Sequence, residues 1–199
     1  MSRTKTLSSD FYHSSSVFNQ ETERIFKNEW LWVGRSDQLT TSGSYITTDL
    51  INYPIIVVRD NSGNLKAFHN VCRHRAAKVI SNKEGVCKHM ICPYHGWKYD
   101  LNGKLMDTPK FYANDDFEKD RHSLFEISVA ERFGLIFINL NKESKTLDKW
   151  FGGFDKIVSN YFTDNLILHN ELRFDVHANW KTYVDNYQEG YHIPLVHPQ

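Results

Sequence analysis

Two short loops, each offering one thiol and one imidazole, constrain this chain more than anything else in it. Cys72-Arg73-His74 reads C-x-H, Cys92-Pro93-Tyr94-His95 reads C-x-x-H, and seventeen residues, 75 to 91, separate them. A fold that uses both must bring two distant loops side by side around one inorganic centre. Two Cys on one iron and two His on the other is the ligand set of a mixed 2Fe-2S cluster, in which the imidazoles raise the reduction potential above that of an all-Cys cluster. A structural zinc could take the same four side chains, but zinc sites usually pair Cys with Cys and His with His at close spacing. Cys87-Lys88-His89 also reads C-x-H. It lies too close to Cys92 for a separate loop, and Met90 and Ile91 read as strand, so Cys87 and His89 are expected to be bystanders.

Composition sets the outer bounds. The chain has 199 residues, enough to bury roughly 70% of its unfolded surface. Lys and Arg total 24 and Asp and Glu total 24, so no basic excess points to nucleic acid or anionic lipid. No run approaches the eighteen or so apolar residues of a membrane helix, and MSRTKTLSSD has no apolar signal core, so a cytoplasmic protein is expected. Of three Cys, two are claimed by the loops, which leaves no disulfide framework.

Along the chain, residues 1–15 read as a polar arm, and Val17, Phe18, Ile25, Phe26 and Trp30 recur at helical intervals through Trp30. Short strands follow at Leu31–Val33, Tyr45–Leu50, Ile55–Arg59 and Leu65–Phe68. Further strands flank Asn102-Gly103 and cover Phe125–Val129 and Leu135–Leu140. Asn61-Ser62-Gly63 and Asn102-Gly103 predict hairpin turns. Residues 107–123, with Asp115, Asp116, Glu118 and Asp120, read as a solvated loop. The expected class is α+β: an arm and helix over 1–30, a mainly antiparallel β domain over 31–141, and the start of an α+β domain over 142–199. In that last part, residues 144–163, which include Phe162, predict one or two short helices broken at Gly152-Gly153, and Leu166–Val176 predicts a strand.

The end of the chain, NWKTYVDNYQEGYHIPLVHPQ, holds a second constellation. Asn179 can cap a helix on which Asp185, Glu189 and His192 share a face. Pro194 disfavours a helical Ile193, which places His192 at the helix end and His197 just beyond. Two His with one carboxylate is the facial ligand set of a mononuclear Fe(II) that activates oxygen. Asp185 reads equally as an acceptor orienting a ligand His or as a solvating residue. His13, His69, His122, His169 and His177 read as ordinary histidines, and Tyr94 and Trp97 as packing around the loops.

AFHNVCRHRAAKV followed by CPYHGWKYDLNGKL resembles the Rieske domain of Rieske non-haem iron oxygenase alpha subunits, the ring-hydroxylating dioxygenases and their choline- and carnitine-type monooxygenase relatives. The resemblance implies that Cys72, His74, Cys92 and His95 hold the 2Fe-2S cluster and that His192 and His197 hold the mononuclear iron. Glu189 aligns with the acid that, in the family, bridges an iron-ligand His and a cluster His of the neighbouring subunit, here His95. It further implies a reductase or ferredoxin electron donor, molecular oxygen, a small organic substrate (aromatic or quaternary ammonium), and a homo-oligomer, commonly a trimer. The third, carboxylate iron ligand is expected beyond position 199, which predicts an incomplete form. A Rieske ferredoxin-like carrier would have no use for Glu189, His192 and His197, and a non-catalytic truncated product is the other alternative. Ala76 departs from the Gly usual in the family, and a positive φ there would cost stability.

Overall fold

A computed structural model describes residues 6–112, 116–159, 161 and 166–197; Asp115 and Phe162, counted above in a loop and a helix, lie outside them. The chain forms two compact units: Phe26–His169, and a second built from 6–25 together with 170–197.

The first unit is an antiparallel β domain. Strands β1 (Leu31–Arg35), β2 (Ser44–Leu50), β3 (Tyr53–Arg59), β4 (Leu65–His69), β5 (Glu84–Val86), β9 (Glu126–Arg132) and β10 (Leu135–Asn139) form one sheet in the order β1-β10-β9-β4-β3-β2-β5. Three short strands, β6 (Met90–Ile91), β7 (Lys98–Tyr99) and β8 (Leu105–Asp107), form a second. Strand β3 explains how the two relate to the core. Successive side chains of a strand point to opposite faces, and here both faces are buried. Ile55 and Val57 pack with Leu39, Ala67, Ile127, Ile136 and Ile138. Ile56 and Val58 pack on the other side with Phe68, Cys72, Cys92, Trp97 and Tyr99. The candidate cluster loops are thus bolted to one face of β3.

Both expected hairpin turns are present and share one device. Asp60 Oδ1 accepts from the backbone N–H groups of Ser62 and Asn64, each at 2.8 Å, and Asp100 Oδ1 accepts from those of Asn102 and Lys104, each at 2.8 Å. Such side-chain turns favour Asp, and Gly63 and Gly103 take the left-handed position at φ +82° and +79°. At Gly103 a Cβ would also stand 2.5 Å from the Phe68 ring, so only Gly fits.

Helices α3 (Leu147–Phe151) and α4 (Phe154–Val158) flank Gly152, at φ +57°, as the Gly-Gly break predicts. Elsewhere the structure departs from expectation. The helix expected through Trp30 is instead α2 (Ser15–Glu21), followed by a π turn over Thr22–Phe26. The Thr22 hydroxyl donates to the Phe18 carbonyl at 3.0 Å, a contact that bends helices. Among the described residues of the polar arm, Asp10–His13 form a one-turn helix, α1. Residues 166–176 form no strand; Ile167, Leu172 and Phe174 are 76%, 75% and 77% exposed, and alternation alone cannot make a ladder without a partner edge. Residues 107–123 are not merely solvated, since Phe117 packs against the core and Lys119–His122 form a 3-10 turn.

Candidate metal centres

The two loops are the same backbone turn used twice. The Cys72 N–H donates to the Ala77 carbonyl at 2.8 Å and the Ala76 N–H to the Cys72 carbonyl at 3.0 Å; the Cys92 N–H donates to Trp97 at 2.9 Å and the Gly96 N–H to Cys92 at 3.0 Å. In each, the residue four after Cys is left-handed: Ala76 at φ +57°, Gly96 at φ +74°. Gly accepts this readily, whereas an L side chain is strained. His74 and His95 sit two and three positions after their Cys, so equivalent turns aim their imidazoles together, with ring centroids 4.6 Å apart.

Both thiols are buried, Cys72 at 3% and Cys92 at 1% exposure, and no disulfide joins them. Burial pushes the Cys92 thiol up, opposed by the backbone N–H groups of Tyr94 and His95 and reinforced by neighbouring Cys72. Burial likewise holds the His74 imidazole below its ordinary value, helped by His95 and Arg75. Neutral imidazole is the form that offers a lone pair, and His74 Nδ1 is buried without any hydrogen-bond partner. An orphaned buried nitrogen costs free energy unless something accepts its lone pair. Among the described residues no three His, Cys, Asp or Glu side chains stand together as ligands of one ion. What the loops present is one sulfur pair and one imidazole pair, a donor set that fits a two-iron cluster.

Trp97 packs around the loops as expected, whereas the other supporting residues left no clear sequence signal. Trp97, 2% exposed, stacks on His74 at 4.8 Å and 9°, and Phe111 packs edge-on to both rings. Phe117 and His122 extend this aromatic cover. Tyr94, expected to pack, is 59% exposed, though its ring lies 3.8 Å from that of His95. The Tyr99 hydroxyl sits 3.3 Å from Cys72 Sγ and accepts from the Arg73 N–H at 3.1 Å. The Arg73 guanidinium lies 3.7 Å from the centre of the Phe125 ring. Fully buried Asn70 accepts from the N–H groups of Val79 and Ile80 at 3.1 and 3.0 Å and donates to the Ile80 carbonyl at 2.7 Å, tying the exit of the first loop to its entry. Cys87 is half-buried with its thiol pushed up by burial, and His69 is held low by burial.

In the second unit, Asn179 caps α5 (Trp180–Gln188), accepting from the Lys181 N–H at 3.1 Å. The helix stops at Gln188. Glu189 is extended, φ −128° and ψ 149°, so Asp185, Glu189 and His192 do not share one helix face as the spacing predicts. Glu189 instead folds back, its Oε1 lying 2.5 Å from His192 Nδ1 while its Oε2 accepts from the Tyr191 N–H at 2.5 Å. The His192 contact leads in holding this carboxyl below its ordinary value. Ile193 is helical after all: α6 (Ile193–Val196) is a single turn with Pro194 in its first positions, where the missing N–H costs nothing. His192 and His197 cap its two ends with ring centroids 5.7 Å apart. A carboxylate on Nδ1 fixes the tautomer that leaves Nε2 free to ligate, which fits a metal held by these two rings. Asp185 meets Tyr12, whose hydroxyl donates to its Oδ2 at 2.5 Å.

With that geometry in view, comparison with known proteins is specific. Residues 29–118 match the Rieske [2Fe-2S] domain, and residues 163–199 match the catalytic domain of the ring hydroxylating alpha subunit. The glycine betaine monooxygenase oxygenase subunit of Chromohalobacter salexigens is 34% identical over 98% of this chain and 43% of its own length. A quaternary ammonium Rieske monooxygenase structure, described for carnitine oxidation and inter-subunit electron transfer, superposes with a TM-score of 0.90 at 32% identity, covering 95% of this chain and 52% of that one. Naphthalene 1,2-dioxygenase with indole bound in its active site gives 0.85 at 28% identity, over 92% and 42%. The chain spans about half the length of the relatives it matches. A β domain built around paired Cys/His loops, followed by the opening of a ring-hydroxylating catalytic domain, places this chain in the family of Rieske non-haem iron oxygenase alpha subunits, which pair a 2Fe-2S cluster with a mononuclear iron.

Proposed function

We propose that the protein to which these residues belong is the oxygenase subunit of a Rieske monooxygenase acting on a small quaternary ammonium compound. Cys72, Cys92, His74 and His95 would hold the cluster, and His192 and His197 would hold the mononuclear iron with a carboxylate from elsewhere. The observation that carries the cluster assignment is the orphaned, buried His74 Nδ1, two residues from buried Cys72, and the quaternary ammonium substrate is drawn from the glycine betaine and carnitine-oxidising relatives. When bound, the two centres supply electron storage and oxygen reduction. The protein's own residues set their surroundings: Trp97 and Phe111 shield His74 from water, and Tyr99 offers its hydroxyl to Cys72. Glu189 Oε1 lies against His192 Nδ1 and orients that ring. His95, unlike His74, is exposed. An exposed imidazole can meet the Glu189 carboxylate of a neighbouring subunit in a head-to-tail ring, a trimer fed by a reductase or ferredoxin. The relative described for inter-subunit electron transfer supports this arrangement.

The test is spectroscopic first. Anaerobically purified and reduced protein should show the low average g value of His/Cys ligation, and Cys72→Ser or Cys92→Ser should abolish it while Cys87→Ser leaves it intact. Stoichiometric zinc in a colourless protein would defeat the cluster assignment. Donor-dependent oxygen uptake with glycine betaine or carnitine, and none with naphthalene, would separate the quaternary ammonium reading from the aromatic one.

A further inference from the structure

Helix α5 leads directly into Glu189, yet of its nine residues only Lys181 is buried. So short a helix is marginal by itself, and its position must come from what grips it. One carboxylate grips its first turn with both oxygens: Glu21 Oε1 accepts from Lys181 Nζ at 2.6 Å and Oε2 from Trp180 Nε1 at 3.0 Å. Glu21 is 9% exposed and Lys181 7%. A second contact holds the next turn, where Tyr12 donates to Asp185 at 2.5 Å, with the Tyr12 ring 6.0 Å from Lys181 Nζ. Glu21 is the last residue of α2, immediately before the π turn. Such turns break the helical register and gather at functional sites.

Resting on the reading of His192 and His197 as iron ligands, we propose that Glu21 is a positioning residue for that site. It sets the register of α5 through Trp180 and Lys181, α5 sets Glu189, and Glu189 holds the His192 ring. The N-terminal segment, 171 residues from His192 in sequence, is therefore a working part of the iron site. Both Glu21 carboxylate oxygens are taken up by Trp180 and Lys181, so it acts through the helix.

The experiment titrates Fe(II) into the complete oxygenase after its mononuclear iron has been chelated away, with the cluster's visible absorption read in the same sample. Glu21→Gln should weaken Fe(II) binding about tenfold and leave the cluster absorption unchanged. Because Glu21→Gln also strands the buried Lys181 charge, an apolar pair, Glu21→Leu with Lys181→Met, is measured beside it. That pair removes the stranded charge and should restore thermal stability while Fe(II) binding stays weak. Binding within about twofold of the parent in Glu21→Gln overturns the proposal, as does recovery of both stability and Fe(II) affinity in the apolar pair. Loss of the cluster in step with the iron overturns it too. Fe(II) binding by the parent that is indifferent to His192→Ala would instead bring down the iron-site reading, and this inference with it.

Discussion

At the scale of single residues, two positions around the first loop carry opposite lessons. Ala76 stands at φ +57° in a turn whose twin uses Gly96, so the loop holds a strained residue where its partner loop has none. Replacing Ala76 with Gly should relieve the left-handed strain, offset partly by the greater freedom of Gly in the unfolded chain, for a net gain of about 1 kcal/mol. Thermal denaturation of the cluster-loaded protein would check this, and a lower midpoint would show that the turn is not strained. Asn70 works the other way. Its amide satisfies two N–H groups and one carbonyl in the buried exit of the loop. Asn70→Ala should cost about 2 kcal/mol or more, because buried donors left unmade carry their full desolvation penalty. Faster bleaching of the cluster in that variant, at unchanged far-ultraviolet dichroism, is the expected signature. Ala76 was legible as a departure from pattern, whereas Asn70 looked like any polar residue beside a strand.

At the scale of elements, the α2–α5 contact makes a statement about pH. Burial pushes the Glu21 carboxyl up, but the Lys181 and Trp180 hydrogen bonds outweigh it and leave the group below its ordinary value of 4.5. A depressed carboxylate stabilises the fold fully above its unfolded value, and that contribution fades as pH falls through the lower folded value. Amide protection in α5, relative to the intrinsic exchange rate, should therefore fall below pH 4.5, with β3 staying protected until more acid conditions. Equal loss of protection in both elements would contradict a local effect. Helix α5 also shows where reading along the chain fell short. Its start was legible in Asn179, a local cap, but its end was not. Nothing within one turn of Glu189 forbids helix except Gly190. The carboxylate's bonds to Tyr191 and His192 in the extended form win instead.

At the scale of the whole molecule, Glu189 is expected to serve a neighbouring subunit as well as its own. In the complete oxygenase, Glu189→Gln should keep both metal centres but lower turnover about 100-fold, since a neutral amide cannot accept from two imidazole N–H groups as a carboxylate does. Oxygen uptake per reduced cluster measures this, and undiminished uptake would remove Glu189 from the path. The four cluster candidates, the two His at a five-residue step, the hairpins and most of the strands of the β domain could all be read from residues near one another in the chain, because ligand spacing, Asn- and Gly-containing turns and alternation are local properties. The tertiary structure alone decided the rest. It brought Phe111 edge-on to His74 and Phe117 against Trp97, buried Asn70 beneath the loop, and matched Glu21 to Lys181 across 160 positions. It also withheld a ladder from residues 166–176, although their alternation is strand-like. Each of these outcomes depends on a partner remote in sequence, and the free energy of burying or pairing a side chain is set by what meets it in space.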